Sequence, residues 1–233
     1  MPVLLALTFV LSACGAASAT FEPVAVPTEA PAAAPTTTAT LPAPTSAPPA
    51  DLPAGALRLV MAAEGNQAQF SVREQLANLT LPNDAIGTTT SVSGSLVILP
   101  DGQPVAAESR FVVDLTTLKT DSSRRDGYIQ RNTLETGTYP EAIFVPASAA
   151  GLPAPLPTSG AVAFQLTGDL TVHGVTRPVS WDVTGNVAGQ TLSGTATTSI
   201  TFTDFGMTLP RVGPVLSVED LIRLQIDFVL SAE

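Results

Sequence analysis

The chain has 233 residues, 20 acidic against 10 basic side chains, one Cys, one His and 21 Pro. A lone Cys excludes a disulfide framework, and one Cys with one His cannot supply a four-ligand zinc site or hold an iron–sulfur cluster. A net charge of -10, with Lys119 the single lysine, repels a phosphate backbone and argues against nucleic acid as a partner.

Val3 to Leu11 form an apolar run of nine residues. A bilayer span takes about 20 residues, so this run suits the core of a signal peptide instead. Two cleavage patterns follow it. Leu11-Ser12-Ala13-Cys14-Gly15 resembles the bacterial lipobox, which implies residues 1–13 as signal peptide and lipidation of Cys14. Ala17-Ser18-Ala19 is a small-x-small site that would discard Cys14 and release a soluble chain. Both predict export. The first predicts a lipoprotein held on the extracytoplasmic side of a membrane, in the periplasm or at the cell surface, by acyl chains on Cys14.

Residues 21–54 contain nine Pro and ten Ala and no basic residue. Proline fixes φ and removes backbone donors, and the stretch has no periodic apolar face, so residues 14–54 are expected to form a disordered polyproline-rich linker behind the lipidated Cys. The remaining segment, 55–233, carries all ten bases and has the length of one domain.

Apolar alternation with period two dominates this domain and predicts strands. It runs through Ala68, Phe70 and Val72, through Val92, Leu96 and Ile98, and through Phe111, Val113 and Leu115. It returns at Val162, Phe164 and Leu166, at Val179, Trp181 and Val183, and most clearly at Ile222, Leu224, Ile226, Phe228 and Leu230. Weaker strand patterns cover 57–61, 142–145 and 192–202. Pro100-Asp101-Gly102 and the segment Gly185 to Gly189 read as hairpin turns. One window, Asp121 to Leu134, predicts a helix, with Ser122 or Ser123 as N-cap, Asp126 in the first turn and Thr136-Gly137 closing it. About eight antiparallel strands with so little helix to cover them must stack as a sandwich or close on themselves, and the residues alone leave both open.

Several motifs decide between them by resemblance. Arg125-Asp126, Tyr139-Pro140-Glu141-Ala142-Ile143-Phe144, the run Gly168-Asp169-Leu170-Thr171-Val172-His173-Gly174-Val175-Thr176-Arg177-Pro178-Val179, Asp204-Phe205-Gly206 and the strand from Val218 to Leu230 together resemble the YceI-like family of exported lipid-binding proteins, over residues 57–231. The resemblance implies an all-β fold, a closed antiparallel eight-stranded lipocalin-like barrel with one short helix near its mouth. It also implies an interior that holds an isoprenoid lipid or a quinone tail; an enzyme acting on a lipid would find no general base here beyond His173 and unpaired carboxylates, so a non-enzymatic role without cofactor is expected. The chain departs from the family pattern in having Phe202 where an Arg usually stands and Tyr128 where a His does. Leu79 to Thr90 reads as a loop longer than the family's.

If the apolar faces point inward, Phe70, Phe111, Val113, Phe164, Leu166, Trp181, Phe202, Ile226 and Phe228 line a tube that an isoprenoid chain could fill. The competing reading packs the same side chains into a dry core, giving a non-catalytic, tethered interaction or stress lipoprotein. Arg124, Arg125 and Tyr128 are the candidates for a head group at the mouth, since guanidinium pairs with phosphate oxygens in bidentate fashion; the plainer role for the arginines is an ion pair with Asp121 or Asp126 that fixes the helix. His173 reads as a turn residue, because no nucleophile or orienting acid is spaced to use it.

Overall fold

The computed structural model describes residues 52–233 apart from 212 and 214, so the expectations for the signal peptide, Cys14 and the linker lie outside the described residues. The strands are β1 (Leu57–Met61), β2 (Gln67–Leu76), β3 (Asn83–Thr89), β4 (Val92–Ile98), β5 (Arg110–Asp114), β6 (Lys119–Thr120), β7 (Glu141–Ala150), β8 (Ser159–Val172), β9 (Val175–Ala188), β10 (Thr191–Ile200) and β11 (Val215–Ala232). All belong to one antiparallel sheet. The order β1-β4-β5-β7-β8-β9-β10-β11 closes on itself because β1 also pairs with β11, Leu59 lying opposite Ala232.

The three strands outside that ring lengthen three of its staves. β11 pairs with β1 through residues 230–232 and with β2 through residues 215–227, so β1 and β2 are two lengths of one stave interrupted at 62–66. Buried Asn66 repairs the interruption, donating to the Ala62 carbonyl at 2.6 Å and accepting from the Val229 N–H at 2.8 Å. β3 and β4 form a second such stave. β5 and β6, joined by the turn Leu115–Thr117, form a third. The result is the eight-stranded closed barrel, with the apolar stripes of its strands turned inward.

Three local expectations are corrected. Leu79 to Thr90 is not a loop, for Asn83–Thr89 is β3, paired with β2 from Glu74↔Asn83 to Ala68↔Thr89; its Gly87 and its run of Thr weaken the period-two signal. Gly185 is no turn residue but sits inside β9 opposite Gly194, and the reversal comes at Gly189, whose φ is +64°. The helix is shorter than expected. α1 spans Ser123–Tyr128 and passes into a π-helical turn, Ile129–Thr133, so the chain leaves the helix at Leu134 and Glu135 rather than at Gly137. Ser122 occupies the N-cap without a side-chain hydrogen bond to the helix. Asp126 instead accepts from the Thr120 N–H and hydroxyl, both at 2.7 Å, and so ties α1 to β6.

The pole where the chain enters β1 is sealed by buried Leu59, Ile98, Val162 and Val187. The other pole carries α1, the segment 201–211 that follows β10, and the two-residue turn His173-Gly174 between β8 and β9. The φ values of +51° and +72° there are those of a hairpin turn whose twist matches its strands. His173 is thus the turn residue the sequence suggested.

The motifs that carried the resemblance meet at this pole. The His173 ring packs edge-on to Tyr139 at 4.9 Å, and a Cβ on Gly174 would fall 2.6 Å from the same tyrosine ring. Arg177 donates from Nε to the Asp204 carbonyl at 3.2 Å, and Phe205 is fully buried below. Tyr-Pro, His-Gly, Arg-Pro and Asp-Phe-Gly build the rim.

Candidate functional site

The alternation of β11 places Ile222, Leu224, Ile226, Phe228 and Leu230 on the inner wall, and the neighbouring strands add their own inward sets. They do not meet in the middle. They enclose a cavity of about 730 Å³, within the range of about 300–1,000 Å³ usual for ligand sites. Phe70, Phe111, Val113, Phe164, Leu166, Trp181, Phe202, Ile226 and Phe228 all line it, as do Arg124, Arg125 and Tyr128 near its mouth. The chain's own side chains do not fill the barrel, so the packed-core reading does not describe it.

Glycine keeps the lumen open. Gly87 on β3 faces Phe70 on β2, and a Cβ there would lie 2.2 Å from the phenyl ring; Gly94 on β4 stands opposite Phe111 on β5, where a Cβ would meet the Arg110 carbonyl at 2.2 Å and the Phe111 ring at 2.9 Å. Each missing side chain lets an aromatic ring lie against the wall rather than project across the tube. Inside, Phe144 and Trp181 make an edge-to-face pair at 6.0 Å, a geometry that suits the ring quadrupoles.

Polar groups gather at the mouth. Arg125 of α1 donates to Glu74 Oε1 of β2 at 2.9 Å and also pairs with Asp121 one turn back. Of the two expected acidic partners Asp121 is therefore found, and Asp126 is replaced by Glu74. Glu74 is only 6% exposed, so the contact is a buried ion pair that straps the helix across the barrel end. Among the described residues no carboxylate lies within ion-pair distance of Arg124 or of Arg131, which also lines the mouth. Thr133 Oγ1 and Trp181 Nε1, both in lining residues, are buried without a hydrogen-bond partner among the described residues.

Sequence reasoning missed Glu74, Arg131, Thr133 and Phe144. Glu74 was within reach, since it continues the inward register Ala68, Phe70, Val72, but a carboxylate on an apolar stripe reads as the strand's end. Arg131 and Thr133 depended on where the helix turns into the π-helical segment. Among the described residues no three His, Cys, Asp or Glu side chains cluster as a metal site, and no helix is long and apolar enough to cross a membrane.

A closed antiparallel barrel around a carbon-lined lumen, sealed at one pole and strapped by a short helix at the other, defines the structural class. The YceI-like domain model matches residues 60–230, and the chain belongs to the YceI-like family. A UPF0312 protein of Pseudomonas putida (strain GB-1) is 35% identical over 111 residues, 44% of this chain and 54% of that protein. One from Pseudomonas syringae pv. tomato is 30% identical over 126 residues, 51% and 61% of the two chains. The chain thus spans little more than half the length of the curated relatives it matches. Among solved structures, a polyisoprenoid binding domain from Saccharophagus degradans superposes with a TM-score of 0.59 at 16% identity, over 76% of this chain and 98% of that one. A YCEI protein of Campylobacter jejuni gives 0.51 at 19% identity, over 68% and 90%. At these identities the likeness is one of fold.

Proposed function

We propose that this barrel is an extracytoplasmic, non-catalytic lipid-binding protein that holds one long isoprenoid chain, a polyprenyl lipid or a quinone tail, as carrier or reservoir. The observation that carries the reading is the continuous apolar lumen. Each methylene moved into it from water contributes about 0.8 kcal/mol, so a long hydrocarbon binds tightly by shape without directed polar contacts. The polyisoprenoid-binding relative from Saccharophagus degradans, built on the same fold, supports this choice of ligand class. Arg124, Tyr128 and Arg131 stand where a head group would emerge, whereas Arg125 is already engaged by Glu74. In the same reading residues 1–13 direct export, acylated Cys14 anchors the chain to the membrane, and residues 14–54 link it to the barrel, which spans 55–233.

Organic extraction of the purified protein followed by mass spectrometry tests the reading. A long-chain isoprenoid near one per barrel is expected, and stripped protein should take up added polyprenol. Protein that yields no such lipid and takes up none would refute it.

A further inference from the structure

Four large apolar side chains stand exposed among the described residues: Leu79, Leu81, Ile86 and Leu216. Leu79, Leu81 and Leu216 lie in segments at one side of the mouth, and Ile86 lies further along the outer wall on the same side. Leu79 and Leu81 lie in the connection from β2 to β3, Ile86 on the outer face of β3, and Leu216 at the start of β11; Leu76 pairs with Val215 and joins the two segments. Leu76, Asn78, Gly213, Val215 and Val218 line the cavity along this edge, so the lining reaches the segments that carry the exposed leucines. Single exposed leucines are ordinary, but Leu81 at 74% and Leu216 at 67% exposure lie in the two segments that the Leu76–Val215 pairing brings together at the opening of an apolar cavity.

We propose that this lip is a membrane-contact surface, inserted among the acyl chains of a bilayer while ligand passes between membrane and lumen. The proposal rests on the isoprenoid reading. A hydrocarbon leaving through a wetted mouth would expose its apolar length to water, whereas a lip seated in the bilayer gives it a continuous apolar path.

The position of the chain's entry permits this orientation. The chain enters β1 at the sealed pole, opposite the lip. An extended chain over residues 14–54, at about 3.1 Å per residue, reaches more than ~100 Å. β11, the longest stave, has 18 residues and spans about 60 Å at about 3.3 Å each. Under the proposed anchoring at Cys14, that contour length exceeds the length of the barrel and so sets no bar to the mouth facing the same membrane.

Charge selects the mode of contact. Asp84, Asp121, Glu219 and Asp220 are exposed at this end beside exposed Arg124, Arg131 and Arg211, so the charge around the lip is mixed and the contact is assigned to insertion of the leucines, which neutral lipid suffices to support.

The test uses the chain from Cys14 onward with Cys14→Ser, which cannot be acylated. It measures flotation with neutral phosphatidylcholine vesicles, and transfer of a fluorescent polyprenol from those vesicles compared with equilibrium uptake from detergent micelles. The parent protein is expected to float. Leu81→Asp with Leu216→Asp should abolish flotation and slow vesicle transfer about tenfold, with micellar uptake unchanged, because neither residue lines the lumen. A parent protein that stays unfloated, or variants that float and transfer like the parent, would overturn the proposal. A dimer in sedimentation that the double variant turns into a monomer, without flotation, would assign the patch to a second copy and overturn it too. If no protein takes up polyprenol in either format, the isoprenoid reading fails instead, and flotation alone then judges the lip.

Discussion

The strap between Arg125 and Glu74 invites a quantitative test, because its two arms differ in what surrounds them. The arm to Asp121 reaches a side chain that is 80% exposed, where an ion pair contributes about 0–1 kcal/mol. The arm to Glu74 reaches a carboxylate sealed under α1 at the cavity edge. Truncating one partner of such a buried pair leaves the other charge without compensation, at a cost of about 3–5 kcal/mol. Arg125 keeps 24% of its own side-chain exposure, which admits some water and places Arg125→Ala near the lower end, about 3 kcal/mol. For a domain of this size each kcal/mol moves Tm by about 2–4 °C, so a loss of about 6–12 °C is expected. Glu74→Gln in the Arg125→Ala background removes the stranded charge and should recover at least about half of that. Calorimetric melting of the parent, both single variants and the double variant measures these differences. Hydrogen exchange of the α1 amides should quicken in Arg125→Ala. A Tm change under about 2 °C, or a double variant no more stable than Arg125→Ala, would refute the assignment of Glu74 as a buried charge held by Arg125.

Three further outcomes follow from the same geometry. Gly87→Val places a side chain 2.2 Å from the Phe70 ring and drives that ring into the lumen; bound lipids should shift to shorter chains by mass spectrometry, with a stability loss of about 1–3 kcal/mol, and an unchanged chain-length profile would mean the ring does not bound the cavity. Trp181→Arg, or Phe164→Asp, buries an unpaired charge in the lining and should end polyprenol uptake in a binding titration while costing several kcal/mol; full uptake would show that these faces point away from the ligand. Asp220 is held below the ordinary aspartate value chiefly by the hydroxyl of Thr203, which donates to it at 2.6 Å, with the Thr203 N–H adding at 3.2 Å. A carboxyl lowered by folding stabilises at pH values above its unfolded value and loses that contribution as pH falls through the folded one. Asp220→Asn should therefore be less stable at neutral pH and lose less on acidification below about pH 4, as read from denaturant melts across pH. Parallel pH profiles for parent and variant would count against this role.

The inward stripe was fully legible, because side chains on a strand alternate whatever the strand pairs with. Period two alone put Phe70, Trp181 and Phe228 each on the apolar face of its strand, while the closed barrel that makes those faces an inner wall came from the family resemblance. The family motifs were legible as well, but not their task. Only packing showed that Tyr139 meets the His173-Gly174 turn and that Arg177 caps the Asp-Phe-Gly turn, which makes these residues builders of the rim.

What sequence left undecided was whether the barrel is hollow, since that depends on which residue of one strand stands across from which residue of the next. Phe70 opposite Gly87 and Phe111 opposite Gly94 hold rings to the wall; a register shifted by one would turn every side chain to the other face. Glu74 and Arg125, 51 positions apart, become a strap only after β2 and α1 come together at one pole. Local alternation is a property of the backbone and is written along the chain, whereas the opening of a lumen and the burial of a charge are properties of closure.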